Sequence, residues 1–423
     1  MKNQNYKQTV IGEIPEDWQV TTLGGTATLN YGKSLPEMSR SEGGVPVYGS
    51  SGVTGYHSQA LVQNEGYIIG RKGTIGTVHY SPEPFYPIDT TYYVTKDDIN
   101  CDFKYFYYLL KYLNLNKLNF DSAVPGLNRG VAYRQKYAAP KTISEQQQIA
   151  SILTSLDDKI ELNRKINKTL EEIGKALFKR WFVDFEFPND DGKPYKSSGG
   201  KMVDSELGEI PKGWKIKPLR ELVEYYIGGG WGSELQDEDH PIEAAVVRGT
   251  DIPAIKTDGY GLLPIRFHKR SNYKARVLTE GDIVFEVSGG STDQPVGRSC
   301  LVLAGLVDQF DNKPICASFC KLLRPVRDFG YLLQPSFELL YSTDEIYKYQ
   351  EKSTGITNYK FEFFLDDYKF ALPSDPSLIT QYIMFSRSLN SRMSVLSVES
   401  ENQKKIRDSL LPRLMSGKLR VTV

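Results

Sequence analysis

Gly12-Glu13-Ile14-Pro15-Glu16-Asp17-Trp18 stands near the start of the chain, and Gly208-Glu209-Ile210-Pro211-Lys212-Gly213-Trp214 stands 196 residues later (208 minus 12). A shared G-E-I-P-x-x-W string is improbable by chance, and its period is too long for a solenoid. It marks two homologous halves. Each opening leads into a stretch rich in Gly, Pro, Tyr and Thr. Short β-like runs there include Tyr67-Ile68-Ile69, Thr91-Tyr92-Tyr93-Val94 and Asp282-Ile283-Val284-Phe285. Turn pairs such as Gly43-Gly44, Ser51-Gly52 and Gly289-Gly290 separate such runs. Tyr105 to Leu115 reads as a helix within an otherwise irregular β domain.

Each β-rich stretch is followed by a long helical pattern. Ser144 to about Phe185 contains no Pro and one Gly, Gly174. Its apolar residues Ile149, Leu153, Leu156, Ile160, Ile166, Leu170, Ile173 and Leu177 approach a heptad stripe, with Asn163 inserted. Ser144 is the expected N-cap, with Gln147 in the capping-box position. Pro376 to Gly417 behaves alike, through Leu378, Phe385, Leu389, Met393, Leu396, Ile406 and Leu410, with Gly417 as the expected C-cap. About 40 helical residues span roughly 60 Å. One apolar stripe of that length needs a partner, and its copy in the other half is the nearest. Packing of each helix on its own domain is the alternative. Pro188 to Gly200 reads as the linker.

Composition narrows the chemistry. The 423 residues are 40% hydrophobic and 25% charged, which fits two to four globular domains. No apolar run reaches the roughly eighteen residues of a membrane span. The polar start Met1-Lys2-Asn3-Gln4-Asn5 does not resemble a signal region, so the cytoplasm is the expected compartment. Four cysteines and four histidines lack zinc-ligand spacing, so no metal is expected. Net charge is zero, but basic residues cluster. Between Lys104 and Lys141 seven bases accompany one acid, Asp121. Arg266, Lys269, Arg270, Lys274 and Arg276 fall in a run without acids. Such runs track phosphates or form ordinary solvated faces. Tyr105, Tyr107, Tyr108 and Tyr112 interleave with the first run, as nucleic-acid surface or as core filling.

Catalytic motifs do not emerge. Gly32-Lys33-Ser34 ends like a phosphate-binding loop, but six residues separate Gly25 from Gly32 where four are required. Gly228-Gly229-Gly230-Trp231-Gly232 lacks a dinucleotide-binding context and reads as a recognition loop. There is no Pro-Pro for an adenine methyltransferase motif, and Asp191-Gly192-Lys193 is better explained as a turn than as half of a nuclease site.

The ordered set of motifs resembles the specificity subunits of type I restriction-modification systems, across nearly the whole chain. Glu145-Gln146-Gln147-Gln148-Ile149-Ala150-Ser151-Ile152-Leu153, continuing to Asn163, is similar to that family's central helix, as is Leu177-Phe178-Lys179-Arg180-Trp181-Phe182. Leu410 to Leu419 is similar to its distal helix. The paired openings resemble the starts of target-recognition domains. Tyr48 to Gly52, Gly70 to Gly76 and Val247 to Ile252 resemble landmarks inside them.

The resemblance implies an α+β fold with two mixed α/β target-recognition domains separated by two long antiparallel helices, a coiled coil, in pseudo-two-fold halves. The expected divisions are 1–143 (first recognition domain), 144–187 (central helix), 188–375 (linker and second recognition domain) and 376–423 (C-terminal helix). It implies a non-catalytic subunit that reads a bipartite double-stranded DNA target, one half-site per domain, with the helices as a ruler. Its helices, through Ile149, Leu153, Leu156, Ile160, Leu170, Leu177, Leu389, Leu396, Ile406 and Leu410, would dock two modification (methyltransferase) subunits. Restriction (translocase/nuclease) subunits would join them. S-adenosylmethionine, ATP and Mg2+ would lie on those partners and no cofactor on this chain. A coiled-coil adaptor without DNA contact remains the alternative.

Basic or polar side chains beside glycine-rich turns are the candidate DNA contacts, because backbone can approach DNA there. They are Arg71, Lys72, Thr74, Asn128 and Arg129 in the first domain, and Arg248, Lys269, Arg270, Ser288, Asn358 and Lys360 in the second. Val124 to Arg129 and Thr354 to Tyr359 hold similar places before each long helix and are the favoured segments.

Overall fold

The computed structural model describes residues 5–118, 126–257, 259–261, 263–289, 294–353 and 356–421. Val124, Pro125, Thr354, Gly355, Gly290 and Asp121 lie outside the described residues. The chain forms two compact units. One comprises Met1–Asp158 with Gln403–Val423, the other Lys159–Asn402. These units cut both long helices, whereas the sequence divisions treated each helix as a separate piece.

The first unit begins with a hairpin of Tyr6–Thr9 and Gly12–Pro15, in which Tyr6 faces Pro15. Trp18–Thr22 then pairs with Lys136–Pro140, joining the start of the domain to its end. Between them lies a four-stranded antiparallel sheet in the order Asn30–Tyr31, Thr91–Val94, Gly66–Gly70, Val78–Ser81. A smaller sheet sets Val45–Gly49 between antiparallel Gly52–His57 and parallel Tyr86–Pro87. Gly66–Gly70 is buried throughout, so its apolar residues run without alternation.

The second unit repeats this plan. Its hairpin is Met202–Ser205 with Gly208–Pro211, in the same register, Met202 facing Pro211. Trp214–Pro218 pairs with Lys369–Pro373, Trp214 facing Pro373 as Trp18 faces Pro140. The four-stranded sheet runs Val223–Gly228, Cys320–Pro325, Ile283–Glu286, Ser299–Leu301. The smaller sheet sets Ile242–Val247 between antiparallel Ile265–His268 and parallel Ile315–Cys316. The duplication announced by seven residues therefore extends to strand order and direction.

The helices begin and end at different residues from those expected. The central helix is Ile143–Phe178. Thr142 caps it, its Oγ1 accepting the Glu145 N–H at 3.3 Å, so Ser144 and Gln147 are interior residues. Beyond Phe178 the chain widens into a π turn, Lys179–Val183, and Phe185 takes φ 58°. The distal helix is Pro376–Met415, with Gly417 at φ 73° as expected of a helix-ending glycine. The Phe103–Leu113 helix buries Tyr105 and Tyr108 in the first core, so these tyrosines fill the interior rather than a surface.

Within each unit the two long helices run antiparallel. In the first unit Asp157 meets Arg407 at 2.6 Å, and Ile149 and Leu153 share a core with Leu414 and Met415. In the second, Asn163 Nδ2 donates to the Leu396 carbonyl, Glu399 and Ser400 at 3.0–3.3 Å, while Asn167 donates to Ser397 at 3.1 Å. Phe178 packs on Tyr382. A buried amide in an apolar seam fixes register, because any slip strands it without partners.

The segment after the π turn is folded rather than a loose linker. Phe187 stacks on Tyr195 at 4.6 Å and on Trp214 at 5.1 Å. Trp18, the first unit's counterpart of Trp214, is held by polar groups as well: its Nε1 donates to Glu145 at 3.1 Å, and Arg420 grips both Glu145 and Asp17.

Candidate nucleic-acid interface

In both units the same loops meet at corresponding strand ends. Leu127 N–H donates to the Arg71 carbonyl at 2.8 Å, and Tyr359 N–H donates to the Val287 carbonyl at 2.8 Å. One residue further, Lys72 bridges Gly126, and Ser288 faces Asn358. These contacts tie the loop after the central strand to the turn before a short helix, Arg129–Tyr133 or Phe361–Asp367. A third loop enters after the edge strand. Gly32 N–H donates to Thr91 O at 3.1 Å, and Gly229 N–H to Cys320 O at 2.9 Å. A side chain at Gly32 would strike the Ile88 carbonyl oxygen, and one at Gly229 the Ala317 carbonyl oxygen, so both positions need glycine.

The first unit gathers cations at this junction. The Arg71 and Arg129 guanidiniums lie over the Tyr31 ring, 4.9 and 4.7 Å from its centroid. Arg71 also donates to the Asp89 carbonyl at 2.9 Å, and Arg129 to the Leu29 carbonyl at 3.3 Å. Among the described residues neither arginine, nor Lys72, has a carboxylate within ion-pair distance. Lys72 and Thr74 are exposed. Asn128 is occupied as a helix cap: its Oδ1 accepts from Gly130 and Val131 at 2.8 and 3.2 Å. Sequence reasoning therefore brought Arg71, Lys72 and Arg129 to one place and missed Tyr31, the ring that organises them.

The second unit forms a cleft of about 430 Å³ lined in part by Trp231, Arg248, Glu286, Ser288, Arg298 and Phe319. Its cations are compensated. Arg248 makes a two-pronged pair with Asp251 at 2.9 and 2.7 Å. Arg298 grips the buried Glu286 at 2.9 and 2.5 Å. Arg266 lies 4.7 Å from the Trp231 ring centroid and pairs with Glu234 at 3.2 Å. The hydrogen bonds to Asp251 and Glu286 hold the Arg248 and Arg298 guanidiniums more firmly protonated than usual. Trp231 and Phe319 are 38% and 59% exposed, leaving aromatic faces for a planar ligand. Ser288 Oγ donates to Asn358 Oδ1 at 2.7 Å. Lys360 is exposed at the start of Phe361–Asp367. Lys269 and Arg270, exposed at the start of Arg270–Arg276, do not line the cleft.

Among the described residues no group of three His, Cys, Asp or Glu side chains comes together as a metal site. Cys300 and Cys316 are buried, and burial pushes both thiols up to about 12. No helix of the described residues is long and apolar enough to cross a membrane.

Of the helix residues expected to dock partners, Ile149, Leu153 and Leu396 are buried within this chain. Leu156, Ile160, Leu170, Leu177, Leu389 and Leu410 are half-buried, and Ile406 is exposed. Leu162, Met384 and Val395 supply further exposed apolar surface outside the stripe, and Ile152 and Ile173 are exposed as well.

Residues 15–172 match the family model described as type I restriction modification DNA specificity domain. The type I restriction enzyme MjaIX specificity subunit of Methanocaldococcus jannaschii is 26% identical over 457 aligned positions, covering 98% of this chain and 96% of that one. The HindI specificity subunit of Haemophilus influenzae is 68% identical over 41 residues, 10% of this chain. The crystal structure of a type I restriction-modification S subunit from M. genitalium shares the fold across 100% of this chain and 98% of its own, with a TM-score of 0.54 at 15% identity. With its duplicated α+β units and paired long helices, the chain is similar over nearly its whole length to type I restriction enzyme specificity subunits, and its first part matches the model of their DNA specificity domain.

Proposed function

We propose that this chain is the DNA-reading subunit of a type I restriction-modification complex, each unit reading one half of a bipartite duplex target. The observation that carries this reading is the duplicated loop junction, built on one backbone plan and furnished with different side chains. A common scaffold presents each set of loops, and the side chains differ as two unlike half-sites require. In the first unit Arg71, Lys72 and Arg129 offer positive charge and guanidinium donors to phosphates and base edges. In the second, Arg248, Ser288, Asn358 and Lys360 frame the corresponding loops, with Trp231 and Arg266 beside them.

The chain supplies no reaction chemistry in this reading. Two modification subunits dock along the exposed apolar flanks of the long helices, around Ile152, Leu162, Ile173, Met384, Val395 and Ile406. Restriction subunits complete the assembly, and S-adenosylmethionine, ATP and Mg2+ act on those partners. Gel-shift titration of the chain co-expressed with its modification subunits tests the reading. Preference for a DNA with two fixed half-sites is expected. Charge reversal at Arg71, Lys72 and Arg129 should abolish it. Equal binding to all sequences, unchanged by charge reversal, would leave the non-DNA adaptor.

A further inference from the structure

We propose that Arg71 and Arg129 are specificity-determining residues that read guanine in the half-site of the first unit. The proposal rests on the DNA-reading function above and deepens it. Both guanidiniums lie over the Tyr31 ring, and each has a second aromatic neighbour, Tyr92 at 5.8 Å for Arg71 and Tyr133 at 5.9 Å for Arg129. Stacking on aromatic faces restrains planes that would otherwise swing freely. The backbone holds them too. Each donates one hydrogen bond to a carbonyl, Asp89 for Arg71 and Leu29 for Arg129. A guanidinium has about five N–H donors. Most of each fork is therefore available, and its charge is unopposed by any carboxylate within ion-pair distance among the described residues.

A restrained, uncompensated planar fork suits a base edge better than a phosphate. Guanine presents O6 and N7 side by side in the major groove, and a guanidinium matches them with two parallel hydrogen bonds. A phosphate needs only a cation within reach, which the exposed Lys33 and Lys72 beside the junction supply on mobile stems. Tyr31 is 44% exposed and Arg71 and Arg129 are half-buried, so the stacked group lies at the surface rather than sealed in the core.

The pair belongs to one unit only. The strand and turn correspondences place Gly228 where Tyr31 stands, Val287 where Arg71 stands and Phe361 where Arg129 stands. The second unit thus lacks both forks and the ring between them. Guanine read in this way is confined to a single half-site.

The test is a binding selection with the complex of this chain and its modification subunits, using duplex DNA randomised across both half-sites. The wild type, Arg71→Lys and Arg129→Lys are compared by sequencing the retained DNA. The expected wild-type result is at least one required guanine in one half-site. Each lysine variant should lower discrimination for a guanine in that half-site by about tenfold or more, with the other half-site unchanged. Lysine keeps the charge and much of the stem, and an unaltered thermal transition of the complex certifies folding. If either variant melts early, Tyr31→Phe, which keeps the ring, and Tyr31→Ala, which removes it, provide the comparison. Only the alanine form should lose guanine discrimination. Uniform weakening at all bases would overturn the proposal in favour of phosphate contact. So would a wild-type target in which neither half-site requires guanine. A wild-type complex without any bipartite preference would overturn the DNA-reading function itself.

Discussion

The two units share a backbone plan and differ in how they handle charge. At the loop junction of the first, Arg71 and Arg129 rest on Tyr31 and carry no carboxylate partner among the described residues. In the second, Arg248, Arg266 and Arg298 are each matched by a carboxylate. Arg276 departs from that rule, donating to the Gly228 carbonyl and Asn272. Away from its loops the second unit also buries an ion cluster. Lys256 contacts Glu171 at 2.9 Å and also Glu338, while Lys175 lies 3.0 and 3.3 Å from the same two carboxylates. In the second unit these charges hold the protein to itself. In the first, the uncompensated cations at the junction are free for a polyanion. Removing charge should therefore cost stability in the second unit and DNA binding in the first.

The largest effect is expected at Lys256. Lys256→Met leaves Glu171 and Glu338 facing each other in a largely shielded site, with Lys175 as their remaining cation among the described residues, and should lower unfolding free energy by about 3–5 kcal/mol. Denaturant melts followed by tryptophan fluorescence check this; a change below about 1 kcal/mol would break the comparison. The cluster also predicts a pH dependence. Burial alone would raise the Glu171 pKa, but Lys256 and Lys175 more than offset it and hold the carboxyl below its ordinary value. Its stabilising contribution is present above the ordinary glutamate value of about 4.3, and is lost as pH falls through the lower folded value. Burial would lower the Lys256 pKa, yet Glu338 and Glu171 raise it overall. That contribution is complete below about pH 10 and disappears as pH rises through the folded value. Acid titration of wild type and Lys256→Met should show the shallower acid limb in the variant.

Arg298→Ala is next, at about 3 kcal/mol, because it leaves Glu286 buried without its cation. Arg420→Ala should cost about 2 kcal/mol in the first unit, by freeing Glu145 and Asp17 from their shared partner. Arg71→Ala should be the smallest in stability, about 1 kcal/mol for its ring contacts and one carbonyl hydrogen bond, while weakening DNA binding by the assembled complex. The contrast between Arg298 and Arg71 is the sharpest form of the comparison. Equal stability losses at the two sites would remove it.

Much of this was legible in the sequence because it depends on pattern. The G-E-I-P-x-x-W repeat carried the duplication down to the pairing of Trp18 with Pro140 and Trp214 with Pro373. The apolar stripe and the inserted Asn163 carried the helix pairing. The glycine-flanked Arg71 and Lys72, with Arg129, carried the first junction. What escaped depends on distant residues meeting. Lys256 finds its carboxylates 85 residues before it and 82 after (256 minus 171, 338 minus 256), at no periodic spacing. Tyr31 sits in a two-residue strand and gains meaning only when Arg71 and Arg129 arrive over it. The cap moved from Ser144 to Thr142, whose hydroxyl accepts the Glu145 N–H, a competition between two neighbouring hydroxyl residues that sequence spacing does not decide. Tyr105 and Tyr108 read equally well as surface or core, and their helix face settled the matter inward.

The central claim is that two units on one plan read two unlike half-sites. Genome-wide mapping of N6-methyladenine, with and without this chain in an otherwise unaltered host, tests it most directly. The account predicts a chain-dependent motif of two different half-sites separated by a fixed, non-specific gap. A continuous motif, two identical half-sites, or methylation unaffected by loss of the chain would contradict it.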